Sequence, residues 1–228
     1  MSEWWTYRLT SFLLFSPRTY YRLLELYNLA IWPAQLAGAV IGLAIIALLI
    51  WKRGHRDRII AGLLSACWLW IAWAFHYQRY AQINWAAPWF AAAFAFEALL
   101  LVVVGVLASR LVLQPASGGK LWIATSLVAI SVLGYPLLAP LTGRPWTTAE
   151  TFGVAADPTV IASIAALALV RGRIRWLLLT VPLLWCAVAA ATLWAMYAPE
   201  ALVVVAAVLL ALWPAVQGTR RGAPDAVR

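Results

Sequence analysis

The sequence predicts an all-α membrane protein, a bundle of transmembrane helices. Of its 228 residues, 65% are apolar, 11% are charged and 15 are tryptophan, whereas soluble domains average about 45–50% apolar and about 25% charged residues. The apolar residues form long runs, and a helix that crosses the hydrocarbon core needs about 20 of them. One water-soluble core of this size could not bury so much apolar surface. A lone soluble enzyme domain is therefore excluded.

Six apolar runs are long enough to cross a membrane, and a seventh is short. The six predicted spans cover residues 30–51, 59–80, 86–109, 121–141, 174–197 and 201–217. The seventh, residues 158–170, has 13 residues before Arg171 and covers about 20 Å of a core about 30 Å thick. We expect this span to tilt little, to extend Arg171 to the membrane surface, or to begin with non-helical chain inside the membrane.

The basic residues predict the orientation of these spans. The chain has 17 Lys and Arg against 8 Asp and Glu, in short clusters typical of loops at membrane faces, and no nucleic-acid partner is expected. With seven spans and the loop at 52–58 in the cytoplasm, the inner basic residues are Lys52, Arg53, Arg56, Arg58, Arg110, Lys120, Arg171, Arg173, Arg175, Arg220, Arg221 and Arg228. The outer ones are Arg8, Arg18, Arg22, Arg79 and Arg144. This asymmetry predicts an outer N-terminus and a cytoplasmic C-terminus.

The chain divides into an N-terminal segment (1–29), one transmembrane domain (30–217) and a polar cytoplasmic tail (218–228). In the first segment, Ser16 and Pro17 have the pattern of an N-cap followed by proline in the first turn. An apolar stripe at i, i+3, i+4 and i+7 then predicts an amphipathic helix in the outer interface. The stripe is Tyr20, Leu23, Leu24 and Tyr27, and the expected membrane anchors are Trp4, Trp5 and Tyr21. Such a helix is either a surface strut or a lid over an outer cavity.

Polar residues inside a bilayer are expensive and indicate where function could lie. Glu97 lies about midway along a predicted span. It either is protonated or hydrogen-bonded to a neighbouring Tyr or Trp and holds helices together, or serves as a proton or cation site. His76 lies near the outer end of its span, as an interfacial hydrogen-bonding residue or a ligand. Asp157 and Pro158 have the pattern of an N-cap and a first helical residue. They could also begin a broken helix that faces a wet cavity.

Several cofactors are not expected. The two histidines, His55 and His76, lie at opposite predicted membrane faces, so a haem held by both within the chain is excluded, as is a three-histidine zinc site. Lys52 and Lys120 are the only lysines and lie in inner loops, so no retinal Schiff base is expected. The sequence leaves open which cofactor or metal, if any, is bound.

Three stretches together resemble a bacterial family of multi-pass membrane proteins of unknown function. They are YNLAIWPAQ at 27–35, HYQRYAQINWAA at 76–87, and TFG through DPT at 151–159. The resemblance implies a helical fold in the bacterial plasma membrane, and it implies no activity or substrate. In the family pattern, Asp or Cys stands at 157 and Gln stands in place of Glu97, which weakens the case that a carboxylate is required at 97.

All three stretches map to the outer half of the predicted topology, and this predicts one shared outward-facing pocket. Its candidate residues are Tyr27, Asn28, Gln35, His76, Asn84, Asp157 and Thr159, with Glu97 deeper. The first hypothesis is that this pocket binds or transports a small cation, a proton or a polar metabolite. The second is an accessory subunit of a membrane complex, in which the stretches contact a partner or a second copy. The third is an enzyme that acts on a lipid or quinone, with His76 or Asp157 as acid–base.

Overall fold

Helices account for 78% of the described residues in the computed structural model, and these residues contain no strands. The described residues are 15–51, 54–114 and 118–220, with side chains through Trp213. The expected anchors Trp4 and Trp5, and the tail from residue 221, lie outside them. A lone antiparallel bridge between Leu113 and Val170 is the β-type pairing in the described part. The prediction of an all-α chain is confirmed.

Each apolar run of the sequence forms a helix. In chain order the helices are α1 (Pro17–Ala30), α2 (Ala34–Ile50), α3 (Arg56–Trp70), α4 (Ala87–Leu100), α5 (Gly119–Ala129), α6 (Leu138–Leu141), α7 (Ala156–Leu167), α8 (Ile174–Ala195) and α9 (Glu200–Arg220). π-Helical turns continue α3 (Ile71–Tyr77), α4 (Leu101–Leu107) and α5 (Ile130–Gly134). Short 3-10 turns occupy Tyr80–Gln82, Tyr135–Leu137 and Trp146–Thr148.

Four helices in the described part of the chain are long and apolar enough to cross a membrane: Arg56–Gln82, Ala87–Leu107, Gly119–Leu141 and Ile174–Ala195. Helices α1 and α2 meet at 88° and would make a fifth if they count as one bent span. Helix α7 and the apolar part of α9, Glu200–Trp213, are shorter. The chain thus has four or five candidate spans, and a count of seven requires that α7 and α9 cross as well.

Helix α1 is the amphipathic helix that the sequence predicts. Ser16 caps it, because its Oγ accepts a hydrogen bond from the backbone N–H of Thr19 at 3.2 Å. Its buried residues are Tyr20, Leu23, Leu24 and Tyr27, the predicted stripe. This stripe packs into the common core, while Leu26 and Leu29 remain exposed. Helix α1 therefore covers part of the bundle.

Nine of the exposed tryptophans in the described part of the chain lie near the ends of the apolar helices, whereas Trp70 and Trp73 lie within the span Arg56–Gln82. One group is Trp32, Trp85, Trp89, Trp146 and Trp194. These residues lie near the starts of α2 and α4, in the loop before α7 and at the end of α8. Those near the end of α2 and the starts of α5 and α8, and in α9, are Trp51, Trp122, Trp176 and Trp213. Tryptophan is enriched at both membrane–water interfaces. The two groups are therefore typical of helices whose ends lie at lipid headgroups.

Candidate functional site

Helix α7 occupies the centre of the bundle. All twelve of its residues are buried, and it packs against α3, α5, α8, α9 and the π-helical turn after α5. A helix of this length reaches about 18 Å. The chain just before it, residues 152–155, is also buried and non-helical. Buried irregular backbone needs local partners for its polar groups, and the surrounding residues supply them.

Two contacts hold this non-helical segment in place. Gly153 has a φ of +85°, a conformation that glycine adopts readily and residues with a Cβ adopt rarely. The hydroxyl of Thr159 accepts a hydrogen bond from the N–H of Gly153 at 2.8 Å and donates one to the carbonyl of Ala155 at 2.7 Å. Thr159, a candidate pocket residue, therefore fixes the turn that leads into α7.

Asp157 lies in the first turn of α7 and is 5% exposed. Its Oδ1 accepts a hydrogen bond from Nε1 of Trp185 at 2.9 Å, and its Oδ2 accepts a longer one from the hydroxyl of Tyr135 at 3.4 Å. The interpretation of Asp157 as an N-cap is wrong. Ala155 holds that position, and no side-chain capping bond is found there in the described structure. The helix begins at Ala156, which turns the carboxylate toward the neighbouring helices.

Two further acidic residues, Glu200 and Glu150, lie close to Asp157. Arg144 forms an ion pair with Glu200, both with largely buried side chains. The Arg144 guanidinium also lies 4.2 Å from the ring centre of Tyr21, and its Nε donates to the hydroxyl of Thr142 at 3.0 Å. Glu150 is partly buried beside this pair. Burial and then the nearby carboxylate of Asp157 raise the pKa of Glu150 well above its usual value, although Arg144 acts in the opposite direction.

We name this group the acidic cluster; it consists of Asp157, Glu150, Glu200 and Arg144. Among the described residues it therefore sets three carboxyl groups against one arginine. Two small cavities of about 10 Å³ each adjoin it. One is lined by Asp157 and Trp185, the other by Glu150, Arg144 and Glu200, and Leu193 borders both. A space of this size holds about one water molecule.

The profile of one protein family matches residues 18–223, which is most of the chain. The chain belongs to DUF6064, a family of unknown function. No curated protein and no solved structure matches it. The predicted membership of an uncharacterised family is thus confirmed, and the family is DUF6064. That the family is multi-pass, and that the three stretches are its motifs, remain predictions.

In this DUF6064 chain, His76 lies in an apolar aromatic cage near Asp157. Its ring centre is 4.5 Å from that of Phe94, 4.8 Å from that of Trp185 and 5.2 Å from that of Phe75. Neither ring nitrogen has a hydrogen-bond partner among the described residues, so the interfacial hydrogen-bonding role considered for it is not found. The indole of Trp185 contacts both the imidazole and the carboxylate of Asp157.

Glu97 is fully buried midway along the span that begins with α4. Both carboxyl oxygens lack a hydrogen-bond partner in the described part of the chain, so the predicted hydrogen-bonded link between helices is not found. Glu97 lines neither of the two small cavities. The structure therefore does not bring Glu97 into the acidic cluster, although the DUF6064 chain buries both.

The remaining candidates fasten the loops before α4 and α7. Tyr27 donates its hydroxyl to the carbonyl of Val154 at 2.9 Å and accepts from Nε1 of Trp70 at 3.1 Å. The other bonds are Asn28 Nδ2 to the carbonyls of Thr147 (2.9 Å) and Ala149 (2.8 Å), Gln35 Nε2 to the carbonyl of Asn28 (2.8 Å), and the N–H of Ala86 to Oδ1 of Asn84 (2.9 Å). Asn28 and Gln35 thus join α1 and α2 to the loop before α7, and Asn84 caps the turn before α4.

Sequence reasoning missed Tyr135, Trp185, Glu150, Glu200 and Arg144 as site residues of this DUF6064 chain. Glu150 lies directly before the stretch at 151–159 that carries the family resemblance, and this position was the available signal. Trp185 and Glu200 are single residues in or beside apolar runs and give none. Among the described residues, no group of three His, Cys, Asp or Glu side chains is arranged to hold a metal ion.

Proposed function

We propose that this chain is an integral membrane protein of the bacterial plasma membrane with seven crossings, an outer N-terminus and a cytoplasmic C-terminus. The contacts at the two ends of α7 support this topology. At its C-terminal end, Leu113 bridges Val170, and Leu113 donates its N–H to Asp57 at the start of α3. At its N-terminal end, Asp157 contacts Tyr135, at the far end of the span that starts with α5. Helix α7 thus runs between opposite ends of the bundle.

The proposed function is the binding of a proton or a small cation at the acidic cluster, from the outer side. One observation carries it: three carboxyl groups lie close together with a single arginine among the described residues, and Asp157 and Glu200 are almost fully buried. Burying uncompensated negative charge is strongly unfavourable. The cluster therefore takes up positive charge, either as protons on the carboxyl groups or as a cation beside them.

The arrangement supports an order for this uptake. Glu150 is partly exposed in the loop at residues 142–155, whereas Asp157 lies behind it in the core. Tyr135 borders the cavity beside Glu150 and also donates to Asp157. A proton or cation that arrives from the loop side would meet Glu150 first and Asp157 second.

Thermal unfolding of the purified full-length protein in detergent tests this function. A ligand that binds only the folded state raises Tm with its concentration. We expect Tm to rise when the pH falls from 8 to 5 or when Na⁺, K⁺ or Ca²⁺ is added. Asp157→Asn should remove most of that response. The matched control Glu25→Gln, which replaces a half-buried carboxyl group on α1 outside the acidic cluster, should keep it. A flat wild-type response to pH and to all three cations, or an unchanged response in Asp157→Asn, would refute the proposal.

A second candidate function, an accessory subunit of a membrane complex, is favoured by a different surface. A recess of about 390 Å³ lies between Trp32 and Trp146, which are 66% and 60% exposed. Large exposed apolar patches often mark partner surfaces. To test this function, a crosslinker is attached at Trp146→Cys and the tagged chain is extracted in mild detergent. If the chain is an accessory subunit, a partner or a second copy should be recovered with it. Capture of lipid alone would contradict it.

The enzyme hypothesis gains no such support. His76 and Asp157, its two acid–base candidates, share no hydrogen bond in the described structure. His76 is also fully buried and lines neither of the small cavities. A general acid–base must come within hydrogen-bond reach of its substrate, and none of the described cavities brings one to His76.

A further inference from the structure

An open groove separates α1 from the end of the span that begins with α3. Its volume is about 390 Å³. Three arginines line it, Arg18 and Arg22 from α1 and Arg79 from the turn after α3. Leu26 and Ile83 form an apolar wall, and Gln82 adds an amide. The groove is separate from the acidic cluster, with which it shares no lining residue.

The charge of the groove is strongly positive. Arg22 pairs with Glu25 at 2.7 Å, while Arg18 is exposed and forms no ion pair with any described residue. No acidic side chain lines the groove in the described part of the chain. Guanidinium groups bind phosphate through paired, charge-assisted hydrogen bonds, and several together favour a phosphate ligand over a neutral one.

The position of the groove, at the end of a candidate membrane-spanning helix, indicates a lipid ligand. Gln82 is the last residue of the candidate span Arg56–Gln82, so the arginines lie where that helix leaves the hydrocarbon core. Helix α1 is turned by 88° from α2 and so lies across the bundle end. Leu26 is 47% exposed and extends the apolar wall of the groove. A phosphate at the arginines with a hydrocarbon chain along Leu26 and Ile83 would match both halves of the groove.

The predicted topology gives an independent reason. Basic residues are disfavoured in the outer loops of membrane proteins, and five of the 17 lie outside in this chain. Three of those five meet in this one groove. A shared anionic ligand accounts for their concentration, whereas a solvated surface would not require it.

We propose that this groove binds the phosphate headgroup of an anionic phospholipid from the outer leaflet. The arginines hold the phosphate, and one acyl chain lies against Leu26 and Ile83. The proposal rests on the membrane location of the chain, and it does not depend on proton or cation binding at the acidic cluster. A failure of either proposal leaves the other standing.

The experiment measures lipid binding to the full-length protein in a neutral detergent, by native mass spectrometry and by Tm. The probes are dioleoyl phosphatidylglycerol, dioleoyl phosphatidylcholine with the same chains, and inorganic phosphate. We expect phosphatidylglycerol to be retained and to raise Tm, and the other two to have much smaller effects. The triple variant R18Q/R22Q/R79Q should bind phosphatidylglycerol at least about tenfold more weakly, since charge-assisted hydrogen bonds are lost.

The matched control is R110Q/R171Q/R173Q, which removes the same charge from three exposed arginines elsewhere in the described structure. It should retain affinity within about twofold. If the groove variant does not fold, Arg18→Gln alone tests the same site, because Arg18 is exposed and should weaken binding by about threefold. Equal affinity for both lipids, an equal loss in the control, or a Tm rise with inorganic phosphate as large as with lipid would overturn the proposal.

Discussion

Replacing Gly38 by alanine should loosen the segment that carries Asp157. A Cβ at Gly38 would lie 2.2 Å from the carbonyl oxygen of Phe152 and 3.5 Å from Cα of Gly153. Ordinary contacts between such atoms begin near 3.4 Å, so the carbonyl must retreat by about 1 Å, beyond what close-packed interiors absorb without strain. This carbonyl immediately precedes the N–H that Thr159 holds. The displacement would therefore disturb the start of α7.

The magnitude follows from two opposing effects. Overpacking costs up to about 3 kcal/mol when a backbone atom must move, and alanine in a helix interior is favoured over glycine by about 1 kcal/mol. Gly38→Ala should therefore lower the free energy of unfolding by about 2 kcal/mol, which corresponds to a Tm decrease of about 4–8 °C for a chain of this size. The assay is thermal unfolding in detergent, followed by circular dichroism.

The matched control is Gly62→Ala on α3, whose Cβ would meet nothing closer than the Cγ2 of Val106 at 3.8 Å. This variant should be as stable as the wild type or more stable, by up to about 1 kcal/mol. Equal stability of Gly38→Ala and Gly62→Ala would refute the reasoning, because the loop would then not lie against α2 at Gly38.

A comparison at Gly42 separates backbone clashes from side-chain clashes. There the added Cβ would lie 2.4 Å from Cγ2 of Val132, an atom that a second substitution can remove. Val132→Ala should partly rescue Gly42→Ala, with a favourable coupling of about 1 kcal/mol in a double-mutant cycle. Val132→Ala should give Gly38→Ala no rescue, because the clash at Gly38 is with a backbone atom.

Three further substitutions test the buried polar groups. His76→Phe preserves the aromatic packing and removes two nitrogens without partners in the described structure, so Tm should stay constant or rise; a loss of the pH or cation response would instead place His76 in the site. Glu97→Met should stabilise the protein by about 1 kcal/mol, because the buried carboxyl oxygens have no described partner; a clear decrease in Tm would reveal a missed partner. The raised pKa of Glu150 means that the folded state holds this proton more tightly than the unfolded state does. Its contribution to stability is therefore full below the ordinary pKa of 4.5 and is lost as the pH rises from there toward the raised value. Glu150→Gln should flatten Tm against pH above about 4.5, and an unchanged slope would contradict the burial of Glu150.

The sequence predicted the helices well, because a helix and its cap are determined by residues that lie close together along the chain. The stripe from Tyr20 to Tyr27 is the buried face of α1, and Ser16 is its cap. Gly38 and Gly42, four residues apart on α2, receive Phe152 and Val132 at short distance. In each case the residues that decide the structure lie within two helical turns of one another, so spacing alone carries the information.

The acidic cluster could not be predicted in the same way. Asp157 followed by proline is a strong local signal for an N-cap, yet the carboxylate is held by Tyr135 and Trp185, which lie 22 and 28 residues away. Glu200 and Arg144 are 56 residues apart. Helices that are apolar on every side also give no periodic signal for the face that turns inward. The partners of a polar residue inside such a bundle are therefore set by tertiary packing.

The complete burial of α7 has a consequence for biogenesis. A twelve-residue helix with no face left for lipid has little to gain from meeting the bilayer alone, since each isolated backbone or carboxyl group there is costly. Two of the helices that enclose it, α8 and α9, are synthesised after it. We therefore expect α7 to be inserted late, when these helices close around it. Until then Asp157 would remain in contact with water, and premature release of a chain that ends before α8 should leave α7 accessible to protease.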